Sequence, residues 1–199
     1  MSNRSIHTLL KNWDEECPLT REEAVEVLNL PEEEMDSLME CAYALRTKYK
    51  GKKVSVQLLT NVRSGNCTQN CAYCAQSKDS QAEIEKYKRV SDEKLYGDND
   101  LVDEKHLARH CIGLSGIGFS DEEIEDLADR IREMKKKDTQ ICCSIGFLTE
   151  KQARILKDAG LDRINHNLNS SRSFYPEICT THTYDQRVNN IKMLQSLGF

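Results

Sequence analysis

The sequence predicts an α/β protein: a partial (βα) TIM-type barrel of about four strand–helix units behind an N-terminal helical cap. Two observations carry the prediction. From Val54 onward, short apolar runs of strand length alternate with segments of helical period, the pattern of a parallel sheet. The helical segments open on paired caps: Ser120 with Glu123, Thr149 with Gln152 and Thr183 with Gln186, each a hydroxyl followed three residues later by Glu or Gln. Four such units are half of an eightfold barrel, and a curled sheet of that size leaves two bare edges. The expectation is that these residues are the N-terminal portion of a longer protein, with the C-terminal half of the barrel absent. A second chain covering the edges is the other solution.

Residues 1–52 are expected to form the helical leader and 53–199 the partial barrel. Trp13 and Cys17 fall in a stretch with little pattern. Thr20 and Glu23 make a capping box ahead of Ala24, Val25, Val27 and Leu28. Pro31 suits the first turn of a second helix, in which Met35, Leu38, Met39, Ala42 and Leu45 recur at three- and four-residue steps to about Tyr49. Val54 to Thr60 reads as the first strand. Ala82 to Tyr87 has a weak helical pattern, and residues 90–107 are too polar to place. His110 to Ser115 is a strand. A helix follows, with Ile124, Leu127, Ala128, Ile131 and Met134 as its stripe and Lys135 to Lys137 complementing its dipole. Gln140 to Gly146 is the third strand, and the helix after it ends at Gly160. Asp162 to Leu168 is the fourth, followed by a helix carrying Val188, Ile191, Leu194 and Leu197.

Composition limits the function. The chain has 199 residues, 31% of them charged, and a formal net charge of −5, which argues against a nucleic-acid partner. No apolar run approaches the length of a membrane span, and the N-terminus has no signal core, so a cytoplasmic location is expected. Nine cysteines, an odd number, do not suit a disulfide framework and point to metal or cluster ligation.

Three of these thiols stand close together. Cys67, Cys71 and Cys74 form a Cys-x3-Cys-x2-Cys pattern after the first strand, with no fourth ligand nearby. Three protein ligands leave a metal centre with an open position, the mark of a catalytic site. A zinc knuckle completed by His106 or His110 is the alternative that spacing leaves open. Strand parity adds two more thiols. In the second strand Cys111, Gly113 and Ser115 share the inward face; in the third, Cys142, Ser144 and Gly146 do, while Cys143 turns toward the helices. Cys111 and Cys142 therefore point inward from neighbouring strands, half of a second metal site, with Arg109 nearby as a cation or an ion-pair partner. In the fourth strand Asn165 and Asn167, continued by Asn169, face the axis. His166 is expected as a satisfied histidine under the helices. Cys17, Cys41 and Cys179 are read as structural or incidental thiols, and the acidic run from Asp121 to Asp129 as a solvated helix face.

The cysteine loop, with Tyr73 between its second and third thiols, resembles that of the radical S-adenosylmethionine superfamily. Longer stretches resemble the biotin synthase family: Asn66 to Ser77, Arg109 to Gly113, Cys142 to Gly146, Asn165 to Ser170, Phe174 to Pro176 and Thr180 to Tyr184. The resemblance implies a [4Fe–4S] cluster on Cys67, Cys71 and Cys74, whose fourth iron takes the amino and carboxylate groups of S-adenosylmethionine. It implies an auxiliary [2Fe–2S] or larger cluster on Cys111 and Cys142, with Arg109 as a possible neighbour. Tyr73, Ser115, Asn167 and Asn169 would line the cofactor and substrate pocket. The implied reaction inserts sulfur into dethiobiotin to give biotin, with flavodoxin or ferredoxin as electron donor and a homodimer as the assembly. Three departures stand out. Asn169 occupies a position where the family leads one to expect aspartate, Cys143 is an additional thiol, and the remaining auxiliary ligands would lie beyond Phe199.

Overall fold

The structure is a computed structural model and describes residues 19–199, so Trp13 and Cys17 lie outside the described residues. The chain divides into two compact units, 1–54 and 55–199. In the first, α1 (Arg21–Leu28) opens on the expected box. The Glu23 amide donates to Thr20 Oγ1 at 3.2 Å, and the Thr20 amide donates to the Glu23 carboxylate at 2.9 Å. A short 3-10 turn after Pro31 leads into α2 (Met35–Lys50). Gly51 ends it at φ +63° and ψ −157°, a conformation open essentially to glycine. Arg46 ties this exit down by donating to the carbonyls of Gly51 and Lys53. Neither helix has a fully buried residue.

The second unit runs β1 (Gln57–Arg63), α3 (Asp92–Glu104), β2 (Arg109–Leu114), α4 (Asp121–Met134), β3 (Ile141–Ser144), α5 (Glu150–Asp158), β4 (Arg163–Asn165), α6 (Tyr175–Ile178) and α7 (Tyr184–Ser196). The four strands pair in parallel in chain order, β1-β2-β3-β4. This is the partial (βα) barrel of four units that the sequence predicts. Its core lies between the sheet's outer face and the helices, where Ile112, Ile141 and Cys143 pack with Leu95, Ile124, Ile131 and Leu156. The boxes at Ser120, Thr149 and Thr183 all form.

Several elements differ from expectation. β1 begins at Gln57 rather than Val54, because register with β2 starts at Gln57 opposite Arg109; Val54 and Val56 remain exposed. The segment 82–87 is not helical. Tyr87 instead forms an antiparallel bridge to Ser64, and its hydroxyl donates to the Asn61 carbonyl at 2.7 Å. The first crossover helix is α3, inside the unplaced stretch. It buries Leu95, Asn99 and Val102, one stripe with a polar residue in its middle. Asn99 is satisfied by donating to the Met134 carbonyl and by bonding His110. β4 is also shorter than expected, so His166 and Asn167 lie just past its end. Register nevertheless sets Leu59, Cys111, Cys142 and Arg163 across the sheet as one inner layer, and Asn61, Gly113, Ser144 and Asn165 as the next.

Candidate cluster and cofactor site

The cysteine loop leaves β1 through Gly65 (φ +68°) and Asn66 (φ +52°), two successive left-handed residues that turn the chain back over the sheet. A side chain at Gly65 would run into Lys86. The turn is braced on both sides: the Gly65 amide donates to Gln76 at 2.8 Å, and Ser115 donates its hydroxyl to the Gly65 carbonyl at 2.6 Å. Farther on, the Lys78 amide and the Ser77 hydroxyl donate to the Gln69 carbonyl, which closes the loop on itself. The loop then docks on the segment leading into α7. The Ala72 amide donates to the Ile178 carbonyl at 2.9 Å. Asn70 takes the amides of Thr180 and Thr181 on its carbonyl oxygen and donates to the Thr180 hydroxyl.

Cys67, Cys71 and Cys74 line one cavity of about 230 Å³, together with the residues that follow β2, β3 and β4. It therefore opens at the C-terminal ends of the strands, where βα barrels carry their chemistry. Close packing holds its floor: the Phe147 amide donates to the Ile117 carbonyl at 2.6 Å, and a Cβ on Gly146 would overlap Ile117. Among the described residues no carboxylate lines the cavity, and Arg187 is its one permanent cation. His166 and His182 also line it, and burial lowers both to about 4, which leaves them neutral at pH 7. The three thiols do not converge within 4.8 Å as ligands of a single ion do. In an iron–sulfur cube each thiolate binds a different iron, so its ligands stand farther apart. Soft donors around a cavity free of carboxylates fit an anionic cluster, and Arg187 fits the carboxylate of a bound ligand.

Cys71 is the buried member of the three. Burial first, and Cys179 second, raise its thiol to about 11, while the Tyr73 hydroxyl and Arg187 favour the thiolate. Asn169 sits at φ +64° and donates from Nδ2 to the Tyr73 hydroxyl at 2.7 Å. Asn165 and Asn167 line the same cavity, and the Asn167 carbonyl accepts from Arg187 at 3.0 Å. Ser115 lines it too, but its hydroxyl and amide are spent on Gly65 and Arg63.

Below the cavity Cys111 and Cys142 are both buried and pair directly across β2 and β3. Cys111 donates to Gln57 Oε1 at 3.4 Å. Burial first, then Cys111, raise the Cys142 thiol to about 11, against Arg109 and Arg163, which favour its thiolate. Arg109 makes no salt bridge among the described residues, and its Nε is buried without a partner. Arg163 went unnoticed in the sequence although the same parity puts it in the layer of Cys142. Cys143 faces the helices inside the hydrophobic core. His110 is also committed to that outer side, between Thr60 and Asn99, which takes it away from the cysteine loop. His166, expected under the helices, lies instead in the cavity wall, with its ring against Phe147 at 5.2 Å and near the Ile145 backbone. The shortening of β4 is the reason, since it releases His166 from the sheet into the cavity wall.

Residues 61–199 match the family model of the radical SAM superfamily, and the chain belongs to that superfamily. Its members hold a [4Fe–4S] cluster and bind S-adenosylmethionine. Within it the sequence is similar to the biotin synthases of Geobacillus kaustophilus, at 39% identity, and Bacillus subtilis strain 168, at 40%. Both alignments cover 90% of this chain and 54% of the relative, so the chain spans about half the length of these curated relatives. Two solved structures share the fold. Methylornithine synthase (PylB) has a TM-score of 0.81 at 16% identity, covering 96% of this chain and 55% of that one. The FeFe-hydrogenase maturase HydG of Carboxydothermus hydrogenoformans has a TM-score of 0.75 at 21% identity, covering 91% and 43%.

Proposed function

We propose that this chain carries the radical-generating half of a biotin synthase, which converts dethiobiotin to biotin by sulfur insertion. The observation that supports this best is the stacking of two thiol sets along one sheet. Three cysteines ring the cavity at the strand ends, and an in-register pair, Cys111 and Cys142, lies beneath it on the inner face. In this reading Cys67, Cys71 and Cys74 hold a [4Fe–4S] cluster, and Cys111 and Cys142 supply two ligands of an auxiliary cluster. When bound, the first cluster and S-adenosylmethionine supply a carbon-centred radical, and the auxiliary cluster supplies sulfur.

The chain's own residues do the rest. Arg187 is anchored by Tyr175, His182 and the Asn167 carbonyl, which holds its guanidinium ready for the cofactor's carboxylate. Asn167 and Asn169 present amides to the ribose or ureido groups. Tyr73, fixed by Asn169, covers the loop. Arg109 and Arg163 offset negative charge on the thiolates of the inner pair. Flavodoxin or ferredoxin is the proposed electron donor and a homodimer the proposed assembly. The test is biotin formation from dethiobiotin, anaerobically and with reductant, in a chain continued past Phe199 to the length of its relatives. Biotin together with 5′-deoxyadenosine is the expected result. Cleavage of S-adenosylmethionine without biotin would assign the chain to another reaction of the superfamily.

A further inference from the structure

Cys179 is a buried thiol that the proposed function leaves unused, and its backbone neighbours set it opposite Cys71. The Ala72 amide donates to the Ile178 carbonyl at 2.9 Å, one residue after Cys71 and one before Cys179. On the other side the Thr180 amide donates to Asn70 Oδ1 at 3.0 Å, so the Asn70 side chain stands in for the carbonyl that a regular ladder would use. Residues 70–72 therefore run against 178–180 in opposite directions. Cys71 faces Cys179 where a non-hydrogen-bonded antiparallel pair would stand. Such pairs hold their Cα atoms at about 4.5 Å, inside the span of roughly 4.4–6.8 Å that a disulfide bridges. The two sulfurs are already 3.8 Å apart. Closing them to a bond of about 2.05 Å asks for side-chain rotation.

We propose that Cys71 and Cys179 form a reversible disulfide when the cluster is absent, with peroxide as the oxidant, and that this bond shuts iron out of the site. The pairing stands on geometry; its consequence for iron rests on the reading of Cys71 as an iron ligand. Cys71 lines the cavity, which gives a molecule the size of hydrogen peroxide a route to its sulfur. Attack on peroxide breaks the O–O bond, forms an S–O bond and releases one water, leaving a sulfenic acid on Cys71. The Cys179 sulfur then displaces that oxygen. The S–S bond forms, the S–O bond breaks, and the hydroxyl leaves as water with the Cys179 proton. The two thiols thus give two electrons and two protons to one peroxide, and a dithiol reductant returns them. A Cys71 sulfur held in a disulfide cannot bind iron. It is also kept from the further, irreversible step to sulfinic acid.

The test uses the full chain, purified free of iron and fully reduced. It is treated anaerobically with hydrogen peroxide, its remaining thiols are alkylated, and a tryptic digest is read by mass spectrometry. The expected product joins the peptide of Cys71 to the peptide of Cys179 and lacks the mass of two hydrogens. The Cys71 peptide also carries Cys67 and Cys74. A variant with Cys67→Ser and Cys74→Ser is therefore run beside the wild type and is expected to give the same link. The oxidised wild type is expected to take up no cluster from iron and sulfide, and to recover its uptake after dithiothreitol. Cys179→Val is expected to form no link, to gain two oxygens at Cys71 and to lose uptake for good. If that variant takes up no cluster even before oxidation, its mass spectrum alone decides. Peroxide that couples Cys71 to Cys67 or Cys74, that oxidises Cys71 while Cys179 stays free, or that leaves both thiols free overturns the proposal. So does cluster uptake that persists in the linked protein. A Cys71–Cys179 link in a protein whose reduced form takes up no cluster confirms the bond, but overturns the reading of Cys71 as an iron ligand and the lock on iron with it.

Discussion

Asn70 is the strongest tie between the cysteine loop and the segment before α7. Its side chain donates to the Thr180 hydroxyl at 2.7 Å and accepts from the Thr180 amide, the Thr181 amide and the Thr181 hydroxyl at 3.0, 3.3 and 3.1 Å. Asn70→Ala removes all four. At about 1 kcal/mol net per bond the sum is ~4 kcal/mol, and water that reaches the freed groups reduces this to about 2–3 kcal/mol. The loss falls on docking of the loop, because the sheet and its outer core do not depend on Asn70. The reporter is the Ala72 amide, whose bond to the Ile178 carbonyl exists only while the loop is docked. Its hydrogen exchange is expected to quicken by roughly 30- to 150-fold, from about 1.4 kcal/mol per tenfold, while amides of β2 and β3 change little. Iron retention at Cys71 should fall in parallel. Unchanged protection at Ala72 would refute the claim that Asn70 holds the loop in place.

Other residues give further tests. Cys143→Ser puts a hydroxyl without a partner into the outer core and is expected to cost about 1–3 kcal/mol in urea unfolding, with iron content unchanged. Cys142→Ser is expected to do the opposite, lowering auxiliary iron with a smaller effect on stability. Burial lowers His110 to about 4, partly countered by Asp98, whereas the unfolded side chain titrates near 6.5. Between those values the unfolded state binds the extra proton, so stability is full above about pH 6.5 and falls on acidification, by up to ~1.4 kcal/mol per pH unit until about pH 4. A His110→Gln variant with the same acid slope would contradict this. Arg187→Lys keeps the charge but loses the fork, and is expected to weaken S-adenosylmethionine binding by roughly tenfold or more in a spectroscopic titration.

What could be read from the sequence follows from how local its cause is. Capping boxes depend on two residues three apart, and those at Thr20, Ser120, Thr149 and Thr183 all form. Parity is equally local, so the inward positions of Cys111 and Cys142 were legible even though strand ends were not. Helix α3 was hidden because its buried stripe contains Asn99, whose partners, His110 and the Met134 carbonyl, come from distant elements. The same holds for Cys179 and Arg187. His182 lies three and five residues from them, but Cys71 comes within reach only through the folded loop. His166 failed for a related reason, since its environment depends on where β4 stops.

Cys67, Cys71 and Cys74 are proposed to hold a site-differentiated [4Fe–4S] cluster with an iron open to S-adenosylmethionine. The most direct measurement is anaerobic reconstitution with iron and sulfide, followed by EPR of the reduced protein with and without S-adenosylmethionine. A brown protein is expected, with an EPR signal that the cofactor shifts and with ~4 irons per chain that disappear when the three cysteines are replaced by alanine. A colourless protein that takes up one zinc, or a cluster signal indifferent to S-adenosylmethionine, would contradict the account.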